Sequence, residues 1–276
     1  MNIESISCVY FSPTGTTETI VEHIAPGISP EPPRMIDITK RGGRKSRPRK
    51  FEDEIVVLAV PVYYGRVPEK AVPWLERIEA ERSAAVLVVV YGNRAYDDAL
   101  KELCDTAELR GFIPAAGCAF VAEHSYSSPE YPIAQGRPDA ADLNKAREFG
   151  NMVRQKLEGI GSIEDLSAVE VPGRFPYVEP ENLNMIKQAR SSVALTPETD
   201  PELCTRCGEC ADACPTGAIS PEDMAATDRW ECMICFACVK SCPEGARQMN
   251  EPGFKTAVRG LYEACKERRE PEFYLG

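Results

Sequence analysis

Apolar residues recur along the first half of the chain in short runs that alternate with amphipathic stretches. The runs predict five buried strands, at residues 6–11, 35–38, 54–60, 84–91 and 117–121. The stretches with helical periodicity predict helices at residues 16–25, 69–78, 97–110 and 140–158. Strands and helices in alternation are typical of an α/β fold with a five-stranded, doubly wound parallel sheet, which binds ligands at the carboxyl ends of its strands.

The second half of the chain is patterned differently. Prolines and glycines interrupt residues 159–199, which predicts a connector after an α/β domain at residues 1–158. Cysteines crowd into residues 200–251, which predicts a small α+β domain. The C-terminal segment, residues 252–276, contains an apolar stripe at helical spacing, and we expect its helix to return onto the α/β domain or the connector.

Eight of the twelve cysteines form two copies of the pattern C-x2-C-x2-C-x3-C-P. Three closely spaced thiolates wrap one face of an iron–sulfur cube, and the fourth begins a helix that points away, so that it ligates the neighbouring cube. The sequence therefore predicts two [4Fe-4S] clusters with exchanged fourth ligands. The first would be held by Cys204, Cys207, Cys210 and Cys242, and the second by Cys232, Cys235, Cys238 and Cys214.

Zinc binding and disulfide pairing account for the cysteines less well. A zinc site would use two C-x-x-C pairs. A disulfide framework implies secretion, whereas Met1–Ser5 lacks the basic start and the cleavage site of a signal peptide, so we expect a cytoplasmic protein. No apolar run approaches the ~18 residues of a membrane span. The four remaining cysteines are expected to be buried and unreactive; they are Cys8, Cys104, Cys118 and Cys265.

The charge of the chain indicates which classes of binding partner to expect. A formal net charge of −11 argues against general binding to nucleic acid. One segment, Lys40–Lys50, has the opposite character, with seven basic residues and no acid. A solvated surface loop explains it, and so does a docking patch for an acidic redox partner.

Three loops at the carboxyl ends of the predicted strands have the composition of a ligand site. The loop after the first strand offers hydroxyls, backbone N–H groups and a helix N-terminus to a phosphate, through Ser12, Thr14, Gly15, Thr16 and Thr17. The loop after the third offers aromatic faces to a planar ring, through Val62, Tyr63, Tyr64 and Gly65. The loop after the fourth offers polar groups to a ring edge, through Tyr91, Gly92, Asn93, Arg94 and Tyr96. Taken singly, each loop is also explained by ordinary helix capping or by a tyrosine packed on a helix.

In this order, the three loops resemble those of the flavodoxins, which bind FMN. The first loop matches their Ser/Thr-x-Thr-Gly-x-Thr pattern, with Thr16 where many flavodoxins have Asn. With the cysteine runs, nearly the whole chain resembles the flavodoxin–ferredoxin fusion proteins of anaerobic bacteria and archaea, or ferrodoxins. The segments Ala122–Ser125 and Arg269–Glu272 look similar to that family as well. The resemblance implies FMN and two [4Fe-4S] clusters as cofactors. His124 would then lie near the flavin and tune or protonate it, unless it is a loop histidine bonded to the backbone.

The expected activity is electron transfer. No G-x-G-x-x-G motif occurs, so a nicotinamide cofactor is not expected to donate directly. The parts favour intramolecular transfer between the clusters and FMN, which relays electrons between redox partner proteins such as a ferredoxin or an oxidoreductase; no catalytic residue is assigned. One alternative is an FMN-dependent reductase of a small oxidant such as a quinone, fed by the clusters. Another is a redox sensor that changes partners with the flavin state. The sequence predicts neither the direction of flow nor the oligomeric state.

Overall fold

The computed structural model describes residues 6–44, 49–178 and 195–276. Its strands are β1 (Ile6–Tyr10), β2 (Arg34–Asp37), β3 (Lys50–Glu52), β4 (Ile55–Pro61), β5 (Glu79–Glu81), β6 (Ala84–Tyr91), β7 (Ile113–Val121), β8 (Glu198–Thr199), β9 (Arg247–Gln248) and β10 (Glu272–Tyr274). Its α-helices are α1 (Thr16–Ile28), α2 (Arg41–Arg44), α3 (Val72–Leu75), α4 (Ala99–Leu109), α5 (Ala140–Glu158), α6 (Glu209–Asp212), α7 (Ala237–Lys240) and α8 (Pro252–Ala264).

The predicted α/β fold with five parallel strands is confirmed. The strands lie in the order β7-β6-β4-β1-β2, and every neighbouring pair among them is parallel. In order of sequence this is the 2-1-3-4-5 arrangement of doubly wound, flavodoxin-like sheets. A sixth strand, β10, extends the sheet at the β7 edge and runs antiparallel to it. The pattern of apolar residues did not predict this strand, because it is only three residues long.

The sheet is covered on both faces, which explains its continuous apolar strands. All eight residues of β6 are buried. One core holds α1 and α5 against the sheet, and the other holds α3 and α4. The helices α1 and α5 cross closely at Gly27 and Gly150. A Cβ atom added to Gly150 would lie 2.2 Å from the carbonyl oxygen of Ile24, so the crossing requires glycine.

The helix predicted at residues 69–78 is wrong. Only Val72–Leu75 is helical, and the chain then enters β5, which pairs in parallel with β3. The apolar side chains of this segment are buried at helical spacing, which explains the prediction. The backbone is nevertheless held by distant partners, because Glu79 N donates to Arg49 O at 3.0 Å and Ala80 N donates to Arg110 O at 2.8 Å. Tertiary hydrogen bonds of this kind override a local preference.

The cysteine-rich part and the C-terminal segment both pack against the carboxyl-end loops of the sheet. Lys240 Nζ, on α7, lies 2.6 Å from Glu123 Oε1, in the loop after β7, and 3.0 Å from Ser127 O. The helix α8 returns onto the α/β part, as its apolar stripe predicted, and packs with Ile133 through Val258. The chain that follows is held by the Asn93 side chain and then forms β10. These contacts fix the two parts over the loops where a ligand is expected.

Most of the basic run gives no further information. Lys45–Pro48 lie outside the described residues. Lys50 is used locally, since its Nζ lies 2.5 Å from Glu52 Oε1 and 2.6 Å from Glu81 Oε2. A docking role for the whole basic segment therefore stays a prediction. Within the described ranges, no helix combines the length and the apolar character that crossing a membrane requires.

Candidate functional site

A cavity of about 510 Å³ lies at the carboxyl ends of β1, β4, β6 and β7. This volume falls within the ~300–1,000 Å³ of small-molecule sites. The predicted site residues that line it are Thr14, Thr16, Val62, Tyr63, Tyr64, Tyr91, Gly92 and His124. The structure thus brings together one part of each predicted loop and the histidine after β7.

The start of α1 borders the cavity through Thr14 and Thr16, and the next residue, Thr17, carries an unpaired hydroxyl but does not itself line the cavity. Gly15 caps the helix in the left-handed conformation, with φ of 84° and no side-chain cap, and a Cβ atom there would meet nothing within 4 Å. Thr17 is 1% exposed, yet its Oγ1 atom has no hydrogen-bond partner among the described residues. Ser12 does not line the cavity, and its Oγ accepts a hydrogen bond from Glu18 N at 3.0 Å. A helix N-terminus with free space and an orphan hydroxyl suits a phosphate.

A tight turn presents the tyrosines of the second loop. Backbone bonds of 3.0 and 3.1 Å join Tyr63 and Arg66 in both directions. Tyr64 and Gly65 between them both have positive φ, 56° and 77°, as a two-residue turn of type I′ requires. Positive φ is costly for tyrosine, and strain of this kind gathers at ligand sites. Gly65 itself does not line the cavity; a Cβ atom there would lie 2.3 Å from Asp97 Oδ2, so the turn packs on that carboxylate.

The third loop reaches the cavity only through Tyr91 and Gly92. The Asn93 side chain donates to the carbonyl oxygens of Cys265 and Glu267, at 2.8 Å each. Asn93 thus anchors the C-terminal segment and does not face the cavity. Tyr96 OH likewise bonds to Tyr274 OH, at 2.7 Å, and to Glu272. Arg94 forms an ion pair with Asp97. The structure therefore does not bring Asn93, Arg94 and Tyr96 to the cavity.

His124 both lines the cavity and bonds to the backbone. Its Nδ1 accepts from Tyr126 N at 3.0 Å, and its ring lies against Gly92, where a Cβ atom would stand 2.2 Å from Cδ2. Burial lowers the pKa of His124 to about 4, and the charges of Arg94 and Lys240 act in the same direction. The ring is therefore neutral near pH 7. Because Nδ1 accepts, the proton of the neutral ring is on Nε2.

Part of the cavity wall, here called the roof, is formed by residues that the sequence did not predict. Tyr126 forms a cluster of three rings with two phenylalanines, its ring centroid lying 4.8 Å from that of Phe236 and 4.9 Å from that of Phe254. Its hydroxyl stands 3.5 Å from that of Tyr64. The further roof residues come from the second cysteine run and from α8; they are Met233, Ile234, Ala257, Val258 and Leu261. The apolar stripe of α8 was the one signal in the sequence that pointed to this role.

The eight motif cysteines surround two small cavities, each of about 20 Å³. The lining of one includes Cys214 with Cys232, Cys235 and Cys238, and the lining of the other includes Cys242 with Cys204, Cys207 and Cys210. These are the two sets predicted from the spacing. Across the described ranges, no group of three or more acidic, histidine or cysteine side chains converges on a position for a single metal ion. Each small cavity is lined by three thiols of one run and the last thiol of the other.

The two sets differ in their access to solvent. Cys207 in the first set is exposed, whereas Cys235 and Cys238 in the second set are buried. Burial raises the pKa of the Cys238 thiol to about 11, and the nearby charge of Arg247 acts in the opposite direction. Met233 and Ile234 line both the small cavity of the second set and the large cavity. The second set is thus the inner one, and two residues separate it from the large cavity.

The remaining cysteines are buried, as predicted. Burial raises the pKa of the thiols of Cys8 and Cys104 to about 12, and it raises the pKa of the Cys118 thiol well above its ordinary value. Thiols that stay protonated at neutral pH are weak nucleophiles. These side chains therefore serve as packing residues.

The comparisons with known proteins concern both halves of the chain. The family model of the 4Fe-4S binding domain matches residues 197–220. No curated protein matches the chain. Among solved structures, a flavodoxin from the domain Archaea is 14% identical, covers 56% of this chain and 99% of its own, and has a TM-score of 0.37. A Fusobacterium nucleatum flavodoxin mutant bound to flavin mononucleotide is 15% identical, covers 59% and 96%, and has a TM-score of 0.36.

A third solved structure is part of a larger protein. The rubredoxin oxygen:oxidoreductase of Desulfovibrio gigas is 11% identical, with a TM-score of 0.39; the match covers 56% of this chain and 36% of that protein. The strand order of the sheet and the matched 4Fe-4S domain establish the architecture on their own. The chain joins a flavodoxin-like α/β sheet to a ferredoxin-type 4Fe-4S domain.

Proposed function

We propose that this chain is an intramolecular electron relay that holds two [4Fe-4S] clusters and one FMN. One observation carries the proposal: Met233 and Ile234 line both the large cavity and the small cavity of the inner cysteine set. Cofactors in these two cavities would be separated only by the thickness of that loop. The clusters would supply one-electron transfer, and FMN would supply transfer of one or two electrons.

The large cavity has the features that FMN needs. The open N-terminus of α1, with the unpaired Thr17 hydroxyl, suits the phosphate. The lining by Tyr63 and Tyr64, together with Tyr91 and Gly92, suits a planar ring system. The loop at residues 12–17 holds no basic residue, so phosphate binding there would rely on neutral hydrogen-bond donors. The flavodoxin-like strand order favours FMN as the occupant.

Two clusters are supported by the repeat of one motif. The matched 4Fe-4S domain, at residues 197–220, includes all four cysteines of the first run and none of the second. The second run has the same spacing and the same trailing proline. Each run contributes three thiols to one small cavity and its last thiol to the other, as exchanged fourth ligands require.

The positions of the two cysteine sets suggest the order in which electrons would pass through the protein. The outer set includes the exposed Cys207, so an external redox protein would exchange electrons there. The inner set shares Met233 and Ile234 with the large cavity, whereas the outer set shares no lining residue with it. The roof formed by α8 and the loop at Met233 and Ile234 covers part of the cavity and shields it from water. A cavity that is partly covered in this way leaves less access for a small oxidant, so we prefer a relay to an FMN-dependent reductase.

The test is the cofactor content after anaerobic purification. Two cubes and one flavin correspond to about eight iron atoms, about eight sulfides and one FMN per chain. A content of about four iron atoms, or FAD in place of FMN, would disprove this set of cofactors. Turnover of a quinone by the complete protein, at a rate above that of free FMN, would favour the reductase over the relay.

A further inference from the structure

One buried cation in the cysteine-rich part has no anionic partner among the described residues. Arg247, in β9, is 2% exposed. Its Nη1 donates to Thr199 Oγ1 at 2.6 Å, and its Nη2 donates to Thr227 Oγ1 at 2.6 Å and to Pro197 O at 2.8 Å. Its Nε is buried and, in the same described part of the chain, has no hydrogen-bond partner. The oxygens that accept from this guanidinium are hydroxyl and carbonyl oxygens, and all of them are neutral.

A guanidinium stays charged at all accessible pH values, and burying it without an anion is costly. Protein interiors therefore retain such a charge where something anionic lies nearby. No carboxylate in the described ranges forms an ion pair with Arg247. The neighbours that become anionic when iron binds are thiols. Nη2 of Arg247 lies 4.0 Å from Cys238 Sγ, in the inner set.

The same residue also lies beside the outer set. Arg247 lines the small cavity that is surrounded by Cys204, Cys207, Cys210 and Cys242. It therefore lies between the two sets and contacts the surroundings of both. Its hydrogen bonds to Thr199, Thr227 and Pro197 hold the head of the side chain in place, so the charge cannot move away when a cluster changes its redox state.

We propose that Arg247 is a buried counter-charge shared by the two clusters, which raises the reduction potentials of both. The inference rests on the proposed function, since it requires a cluster in each set. An electron added to a cluster makes it more negative, and a fixed positive charge in a medium of low dielectric constant stabilises the reduced form. Arg247 acts through the clusters and has no catalytic role of its own.

The test compares two substitutions in the complete, cofactor-loaded chain. Arg247→Gln keeps hydrogen-bond donors and removes the charge, whereas Arg247→Lys keeps the charge. An anaerobic redox titration followed by electron paramagnetic resonance measures the potential of each cluster. For Arg247→Gln we expect the reduction equilibrium of both clusters to shift at least tenfold towards the oxidised form, which is about 59 mV for one electron. Arg247→Lys should shift either equilibrium less than about threefold, because its charge is retained.

A matched control removes an exposed charge beside the small cavity of the outer set. Arg206 also lines the cavity of the outer set, but it lies at the surface. Arg206→Gln should shift either equilibrium less than about threefold, because solvent screens its charge. A shift as large as that of Arg247→Gln would overturn the proposal, since it would show a general effect of charge. Potentials that do not change in Arg247→Gln, or a change in only one cluster, would overturn it as well.

Loss of the clusters is also decisive. If Arg247→Gln fails to hold them while Arg247→Lys retains the full iron content, the charge is needed and the proposal stands. If both variants lose them, the hydrogen bonds of the guanidinium are what matters and the proposal falls. Iron and sulfide counts on the unsubstituted protein separate these results from failure of the proposed function, because fewer than two clusters there would refute the relay itself.

Discussion

The unpaired hydroxyl of Thr17 allows a prediction in which stability and cofactor affinity move in opposite directions. Thr17 is 1% exposed, and its Oγ1 atom has no hydrogen-bond partner in the described part of the chain. A buried polar group without a partner costs about 1–3 kcal/mol. Thr17→Val replaces the hydroxyl by a methyl group of similar size. The flavin-free protein should therefore keep its stability or gain up to about that amount in the free energy of unfolding.

The FMN complex should respond in the opposite way. If Oγ1 donates to the phosphate, the hydrogen bond to a charged group contributes about 1.5–3 kcal/mol. Its loss should weaken FMN binding about 10- to 140-fold, since each 1.4 kcal/mol is a factor of ten. Urea denaturation of the flavin-free protein measures the first effect. Titration of FMN, followed by the quenching of its fluorescence, measures the second.

Thr19, two residues further along α1, provides the control. Its Oγ1 donates to Gly15 O at 3.1 Å, so this hydroxyl is already paired. Thr19→Val should lower stability by about 0.5–1.5 kcal/mol and leave the affinity for FMN nearly unchanged. The reasoning would be refuted if Thr17→Val destabilised the flavin-free protein and left FMN affinity unchanged, because the hydroxyl would then have a structural role.

Three further predictions concern the clusters, the histidine and the helix crossing. Cys214→Ala should abolish the inner cluster and leave the outer one, seen as about four remaining iron atoms and one remaining paramagnetic signal; loss of the outer cluster would disprove the exchanged ligands. The pKa of His124 is about 4 in the folded protein and about 6.5 in the unfolded chain, so the unfolded chain takes up a proton first as the pH falls. His124 should therefore lower the free energy of unfolding by about 2 kcal/mol between pH 7 and pH 5. Urea denaturation of His124→Phe should lack that pH dependence, whereas His23→Phe should retain it; equal pH profiles for the two variants would contradict the burial of His124. Gly150→Ala should lower the free energy of unfolding by about 1–3 kcal/mol, because its Cβ would meet Ile24 O at 2.2 Å, and an unchanged value would exclude the close crossing.

The fold, which the sequence predicted correctly, and the site residues that it proposes both follow from local patterns. The parallel strands were recognised because both faces of the sheet are buried, which makes β4 and β6 continuous apolar runs. The grouping of the cysteines followed from their spacing, since a repeated motif carries its geometry with it. Eight residues on the walls of the large cavity came from the loops at strand ends, where the fold itself directs ligands.

The features that the sequence did not predict depend on contacts between distant segments. Asn93 bonds to Cys265, 172 positions away, and no local pattern distinguishes that use of an amide from a contact with a ligand. β10 is too short to be recognised by alternation, and it forms because β7 offers an open edge. Arg247 has no signal in the sequence, because its importance comes from complete burial between two sets of thiols.

The relay is tested most directly by the kinetics of electron transfer within the loaded protein. A laser flash under anaerobic conditions can reduce the clusters through an external photosensitiser, while the absorbance of the flavin is followed in time. A linked donor and acceptor react in a first-order process, so the rate constant of flavin reduction should stay the same when the protein is diluted about tenfold. A rate that falls in proportion to concentration, or clusters that stay reduced while the flavin remains oxidised, would contradict the account.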